Sequence, residues 1–207
     1  MMSQEEMSNA LQYLLDRQAI WDCVQRFARG VDRLDVDLMR SAFHEDALDD
    51  HGVFAGTAEE LADWVVKVTG KGLLTAQHLV GTHTCELDGD VAHAETYYLF
   101  FGMTANGAGD PVSSGGGRYV DRFEKRDGRW AIAARKEIRD WFPAKTHLTS
   151  ARQFDLTSAK AFLKPEEVDL LKSFAEATRD HNDPSYDRPL TIDPARVEAA
   201  RRVAECA

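Results

Sequence analysis

The stretch YVDRFEKRDGRWAIAARKEIRDWF, residues 119–142, decides the fold. It reads as two strands joined by Asp127-Gly128, a dipeptide suited to a tight hairpin because both residues tolerate the positive φ such turns require. The first strand extends back to GGGRYVDRFEKR, and the second is RWAIAARKEIRDWF. Upstream, LLTAQHLVGTHTCEL and VAHAETYYLFFGM flank DGD and predict a second hairpin of the same kind. Between the hairpins, TANGAGDPVSSGGG (104–117) reads as a flexible loop, and its SSGGG is no phosphate loop because no Lys-Ser or Lys-Thr follows.

Ahead of the hairpins the pattern is helical to about residue 70. Ser3 and Glu6 form a capping box, and Leu11, Leu14, Leu15, Ile20, Val24, Phe27 and Val31 recur at helical spacing, with Gly30 a weak point near the end. Asp35 can cap a second short helix carrying Leu38, Met39, Ala42 and Phe43. Thr57 and Glu60 open a third, with Leu61, Trp64, Val65 and Val68 inward. Helices first and strands afterwards imply an α+β domain, with the helices packed on one face of a curved antiparallel sheet. Residues 1–143 form this domain. Residues 144–207 form a helical extension, with runs at 150–162, 165–181 and 194–206 and NDPSYDRPLTIDP as a linker.

Composition narrows the function. The 207-residue chain carries a net charge of −10, which argues against nucleic acid and anionic membranes as partners. No apolar run approaches the roughly 20 residues of a membrane span, and the polar, acidic start does not read as a signal peptide. Cys23, Cys85 and Cys206 are far apart and form no disulfide or zinc pattern, so the expected setting is the reducing cytoplasm.

GVDRLD, TAQHLVGTH and the stretch at 119–142 occur in an order that resembles the SnoaL-like branch of the nuclear transport factor 2-like (cystatin-like) superfamily, over roughly residues 8–143. The resemblance implies a cone-shaped fold with a pocket. Enzymes of the group similar to scytalone dehydratase and hexachlorocyclohexane dehydrochlorinase pair an aspartate after the first helix with a histidine on a central strand. Asp32 and His78 match those positions, and Arg135 matches a last-strand basic position. The chemistry fits the residue types. A carboxylate on one imidazole nitrogen fixes the tautomer, so the other nitrogen can take a proton near neutral pH. Arg135 would stabilise developing negative charge, or else pair with Glu95 or Glu137; simple alternation puts it on one face with Ala131 and Ala133. Such a dyad needs neither cofactor nor metal.

Tyr97, Tyr119, Phe54, Trp64 and Trp141 are the expected substrate-binding residues, with His51 a further binding or proton-transfer candidate near the mouth. His83 has the opposite strand parity from His78, His44 reads as a helix-end residue and His93 as a solvated one. The acidic run from His44 to His51 matches no metal-ligand spacing and reads as a solvated turn. The function these residues imply is a cofactor-independent lyase acting on a bulky, hydrophobic, aromatic or alicyclic small molecule. Water, halide or a carbonyl fragment would leave, the last by retro-aldol cleavage. An isomerase or hydrolase on the same cone stays open, as does a non-catalytic module like a dioxygenase small subunit. A sheet with helices on one side only needs cover for its other face, so a homodimer or homotrimer is expected.

Overall fold

The computed structural model describes residues 2–104, 112–143, 148–150, 164–173 and 181–205. Helix α1 (Gln4–Arg33) begins at the Ser3–Glu6 capping box, and Leu34 closes it at a left-handed φ of 53°. Helix α2 (Val36–Arg40) follows at once, with the Asp35 side chain accepting from the Leu38 amide. Gly30 is what lets α2 lie so close: a Cβ there would sit 2.6 Å from Met39 Cγ. Helix α3 (Ala58–Gly72) starts at the Thr57–Glu60 capping box.

Strands β1 (Phe43–Asp50), β2 (Ala55–Thr57), β3 (Leu73–Asp88), β4 (Val91–Thr104), β5 (Val112–Arg126), β6 (Arg129–Pro143) and β7 (Leu148–Ser150) form one curved sheet in the order β2-β1-β6-β5-β4-β3, with β7 also on β6. Both hairpins lie where the sequence puts them, with Gly89 and Gly128 at positive φ in the turns. The α+β class and the cone are as expected. Two features differ. Residues 43–50 and 55–57 are strands rather than helix end and turn, and β1 pairs in parallel with β6. Residues 112–114, expected in the loop alone, begin β5 ahead of the glycine run. The glycines there admit close neighbours: a Cβ on Gly116 would strike the Trp141 indole, and one on Gly117 the Ile138 carbonyl.

The concave face packs against α1, α2 and α3. Ile20, Val24, Phe27, Met39, Leu61, Phe123 and Ile132 form a buried core there, each side chain contributing about 1.5–3 kcal/mol. The N-terminal half of α1 runs beyond this core, so Leu11, Leu14 and Leu15 stay exposed despite their helical spacing. The opposite face is partly covered by the chain itself. Helices α4 (Pro165–Lys172) and α5 (Pro194–Glu205) and the segment around Leu190 pack Leu170, Leu190, Ile192 and Val197 on Val120, Ala134 and Ile138. Charge locks the attachment: Arg118 bridges Glu95, Asp140 and Asp183, and Arg196 binds Asp50 at 2.5 Å. That part of the sheet therefore needs no second subunit to cover it. Of the helical runs expected in 144–207, the first lies mostly outside the described residues and otherwise holds a strand residue, Ser150. The second is helical over Pro165–Lys172 and the third over Pro194–Glu205.

Candidate active site

Asp32 stands in the last turn of α1 and faces β3. Its Oδ1 accepts from the His78 ring Nδ1 at 2.6 Å, and its Oδ2 accepts from the His78 main-chain amide at 2.9 Å. A carboxylate can only accept, so Nδ1 carries the proton and Nε2 carries the lone pair when the ring is neutral. Nε2 has no protein partner among the described residues. Burial alone would raise the Asp32 carboxyl, but the two hydrogen bonds and the His78 charge together hold it below the usual carboxylate value. The His78 ring rests 5.0 Å from Phe100 and 6.1 Å from Tyr98.

His78 lines a cavity of about 400 Å³ between the helices and the concave sheet, walled by Phe27, Trp64, Tyr98, Phe100 and Tyr119. This falls in the range of small-molecule sites, roughly 300–1,000 Å³. Beyond the apolar wall lies a row of buried charged and polar groups. Arg135 forms a two-point pair with Asp121, Nε to Oδ1 at 2.6 Å, and both are fully buried. His51 Nδ1 donates to Asp49 Oδ1 at 2.8 Å. Tyr98 donates to Glu137, which Arg139 also binds at 3.0 Å. Burial opposes the charge of Glu137, but Arg139, His51 and the Tyr98 hydroxyl bring its pKa down to about 2. Tyr98 and Tyr119 stack at 4.6 Å, and the buried Tyr119 hydroxyl has no partner among the described residues.

The structure brings Asp32, His78, His51, Tyr119 and Trp64 to this region, all but Asp32 on the cavity wall. His51 is not at an open mouth; its side chain is 15% exposed, between Phe27, Trp64 and Tyr119. Four expectations need correction. Tyr97 points out of the opposite face, 46% exposed, while its neighbour Tyr98 faces the cavity. Phe54 packs on Trp64 at 5.5 Å, and Trp141 lies over Gly116; neither lines the cavity. Arg135 also lies off the cavity wall, under the rings of Phe27 and Tyr119, and pairs with Asp121 rather than Glu95 or Glu137. A register shift next to Ala133 breaks the simple alternation, so Arg135 follows Trp130 and Ile132 on the inner face.

The other histidines are also placed by partners. A register shift between Val80 and His83 cancels the parity difference, so His83 faces α1 as His78 does. It meets Thr96 at 2.8 Å and Trp21, and burial, with Arg17, lowers its pKa to about 4. His44 is in β1, buried, and bonded to the Glu124 carbonyl; His93 accepts from the Leu190 amide. The acidic run is no solvated turn, because Asp49 and Asp50 are buried on opposite faces of β1. Among the described residues no group of three or more His, Cys, Asp or Glu is arranged to hold a metal ion, and no helix is long and apolar enough to cross a membrane. Tyr98, Glu137 and Arg139 are site residues that sequence reasoning missed.

Solved structures share this fold. Hexachlorocyclohexane dehydrochlorinase LinA-type3 from Novosphingobium barchaimii superposes with a TM-score of 0.59 at 23% identity, covering 68% of this chain and 98% of that one. A proposed scytalone dehydratase from Novosphingobium aromaticivorans gives 0.56 at 17%, covering 67% and 89%. A single-residue variant of a Mycobacterium tuberculosis protein of unknown function gives 0.57 at 18% and covers 92% and 97%. No curated protein sequence matches the chain. Residues 12–136 match the model of the SnoaL-like domain. The chain, with its cone and its helices on a curved sheet, therefore belongs to the SnoaL-like domain family.

Proposed function

We propose that the protein is a cofactor-independent lyase that removes a proton from a hydrophobic aromatic or alicyclic substrate and expels water, or cleaves a carbon–carbon bond by retro-aldol reaction. One observation carries this reading: Asp32 occupies Nδ1 of His78 while the ring lines an aromatic-walled cavity with Nε2 unpartnered. That arrangement makes a base with a fixed tautomer, and the aspartate stabilises the imidazolium formed. The likeness to a dehydrochlorinase and a proposed dehydratase is consistent with elimination chemistry. Tyr119 lines the cavity and its buried hydroxyl has no partner among the described residues, so it is the candidate to donate to a substrate oxygen. Residues 1–143 would carry the whole site, with the described helices of 144–207 as a brace on the far face of the sheet.

A single probe tests both versions of the reaction. The aldol of benzaldehyde and acetone, a benzylic β-hydroxy ketone, gives benzylideneacetone on dehydration and benzaldehyde plus acetone on retro-aldol cleavage. The lyase reading expects one of these product sets above the uncatalysed background. Binding of the probe with no product would instead favour a ligand-binding module.

A further inference from the structure

The cavity holds a second aspartate–histidine pair, Asp49–His51, on β1 and its C-terminal end. The two imidazoles neighbour different members of the stacked tyrosine pair: His78 lies 6.1 Å from Tyr98, and His51 lies 6.1 Å from Tyr119. Both rings line the same cavity, both give Nδ1 to a carboxylate, and both keep Nε2 free of protein partners among the described residues. A single base would explain one such pair. An elimination that expels water needs a second proton transfer, because hydroxide is a poor leaving group.

We propose that His51 is the general acid of the reaction, held by Asp49 as a positioning residue, while His78 is the base. This rests on the lyase reading above. The step balances. His78 Nε2 takes the proton from carbon, and the electron pair of that C–H bond becomes the new C=C bond. The C–O pair leaves with oxygen, and the Nε2 proton of His51 converts it to water. Exchange with solvent returns His78 to neutral and His51 to its charged form.

The surroundings of His51 favour its charged form, as an acid requires. Desolvation of the ring lowers its pKa, but the Asp49 carboxylate, with Glu137 on the neighbouring strand β6, outweighs burial and the nearby Arg135, so the net shift is upward. Asp121 on β5 adds a carboxylate farther back, paired with Arg135. The other rings against His51 are the uncharged Phe27 from α1, Trp64 from α3 and Tyr119 from β5, whose hydroxyl pKa is pushed up. His51 thus keeps its proton to higher pH than a free imidazole.

The test compares two leaving groups in the full-length protein. One probe is the aldol of benzaldehyde and acetone, which loses hydroxide. The other is its O-acetyl ester, which loses acetate and needs no acid; both yield benzylideneacetone. His51→Gln is expected to slow the alcohol by at least about 10²-fold more than the ester, whereas His78→Gln slows both alike. Asp49→Asn should slow the alcohol more than the ester and move the high-pH limb of kcat/KM for the alcohol to lower pH. Equal loss on both probes in His51→Gln would overturn the assignment and make His51 a wall of the cavity. Wild-type turnover of the ester but not the alcohol would also overturn it, with the lyase reading intact. A wild-type protein inert towards both would remove the lyase reading and the acid with it.

Discussion

Asp32 grips His78 twice, through the ring Nδ1 at 2.6 Å and through the main-chain amide at 2.9 Å. One carboxylate therefore fixes both the imidazole and the strand that carries it. Leu34 turns the chain two residues later, immediately after the last turn of α1. Asp32→Asn keeps one acceptor but sets an NH₂ group against one of the two donors. The variant is expected to lose at least about 10²-fold in kcat/KM and about 1–3 kcal/mol of stability, the scale of a buried hydrogen-bonding group left unmatched. Steady-state kinetics and urea unfolding measure the two effects; a variant of full activity would show that the carboxylate does not support the base.

Arg135 has a structural role. It is fully buried, paired with Asp121 at two points, and capped by the faces of Phe27 and Tyr119. Arg135→Met strands the Asp121 carboxylate and should destabilise the protein by about 3–5 kcal/mol. Adding Asp121→Asn should recover part of that loss. A single variant as stable as wild type in denaturant titration would contradict the burial described.

Acid stability depends on Glu137. Its folded pKa of about 2 lies below the unfolded value of 4.5. A depressed carboxyl contributes stability that is complete above the unfolded pKa and is lost as pH falls through the folded one. Wild type should therefore lose stability more steeply than Glu137→Gln between about pH 4.5 and pH 2. Parallel curves for the two proteins across that window would contradict the charge environment assigned to Glu137.

Apolar surface remains for a partner. Leu79, Phe101 and Met103 are 57%, 42% and 47% exposed on the far face of the sheet, beyond the reach of α4 and α5. Leu11 and Leu14 are exposed on α1 as well. Exposed apolar residues grouped on one face mark interaction sites, and a homodimer or homotrimer would bury them. Sedimentation at micromolar concentration should give two or three times the chain mass of 23.2 kDa; a monomer would contradict the assembly.

The parts of this fold that were legible are those set by local chemistry. Two turn dipeptides, two capping boxes and alternating apolar residues place the hairpins and helices, and the Asp32–His78 contact follows from the family resemblance at both positions. What escaped depends on distant partners. FHEDALDD reads as a turn because its run of acids calls for solvent, yet Asp49 and Asp50 are buried beside His51 and Arg196, the latter from the far end of the chain. In TYYLFF, nothing local says which of Tyr97 and Tyr98 faces inward. Counting back from the Asp127-Gly128 turn pairs Arg135 with Val120, and the register shift at Ala133 moves it to Asp121. One inserted residue thus converted an expected catalytic cation into a buried ion pair.

The central claim is that His78 is the base, and replacing it is the most direct test. Turnover of the benzaldehyde–acetone aldol by wild type and His78→Ala is compared under identical conditions, with thermal unfolding as the check on folding. The predicted result is a loss of at least about 10²-fold in kcat with the melting transition preserved, and no restoration at higher pH. Undiminished turnover by a folded His78→Ala protein would contradict the account.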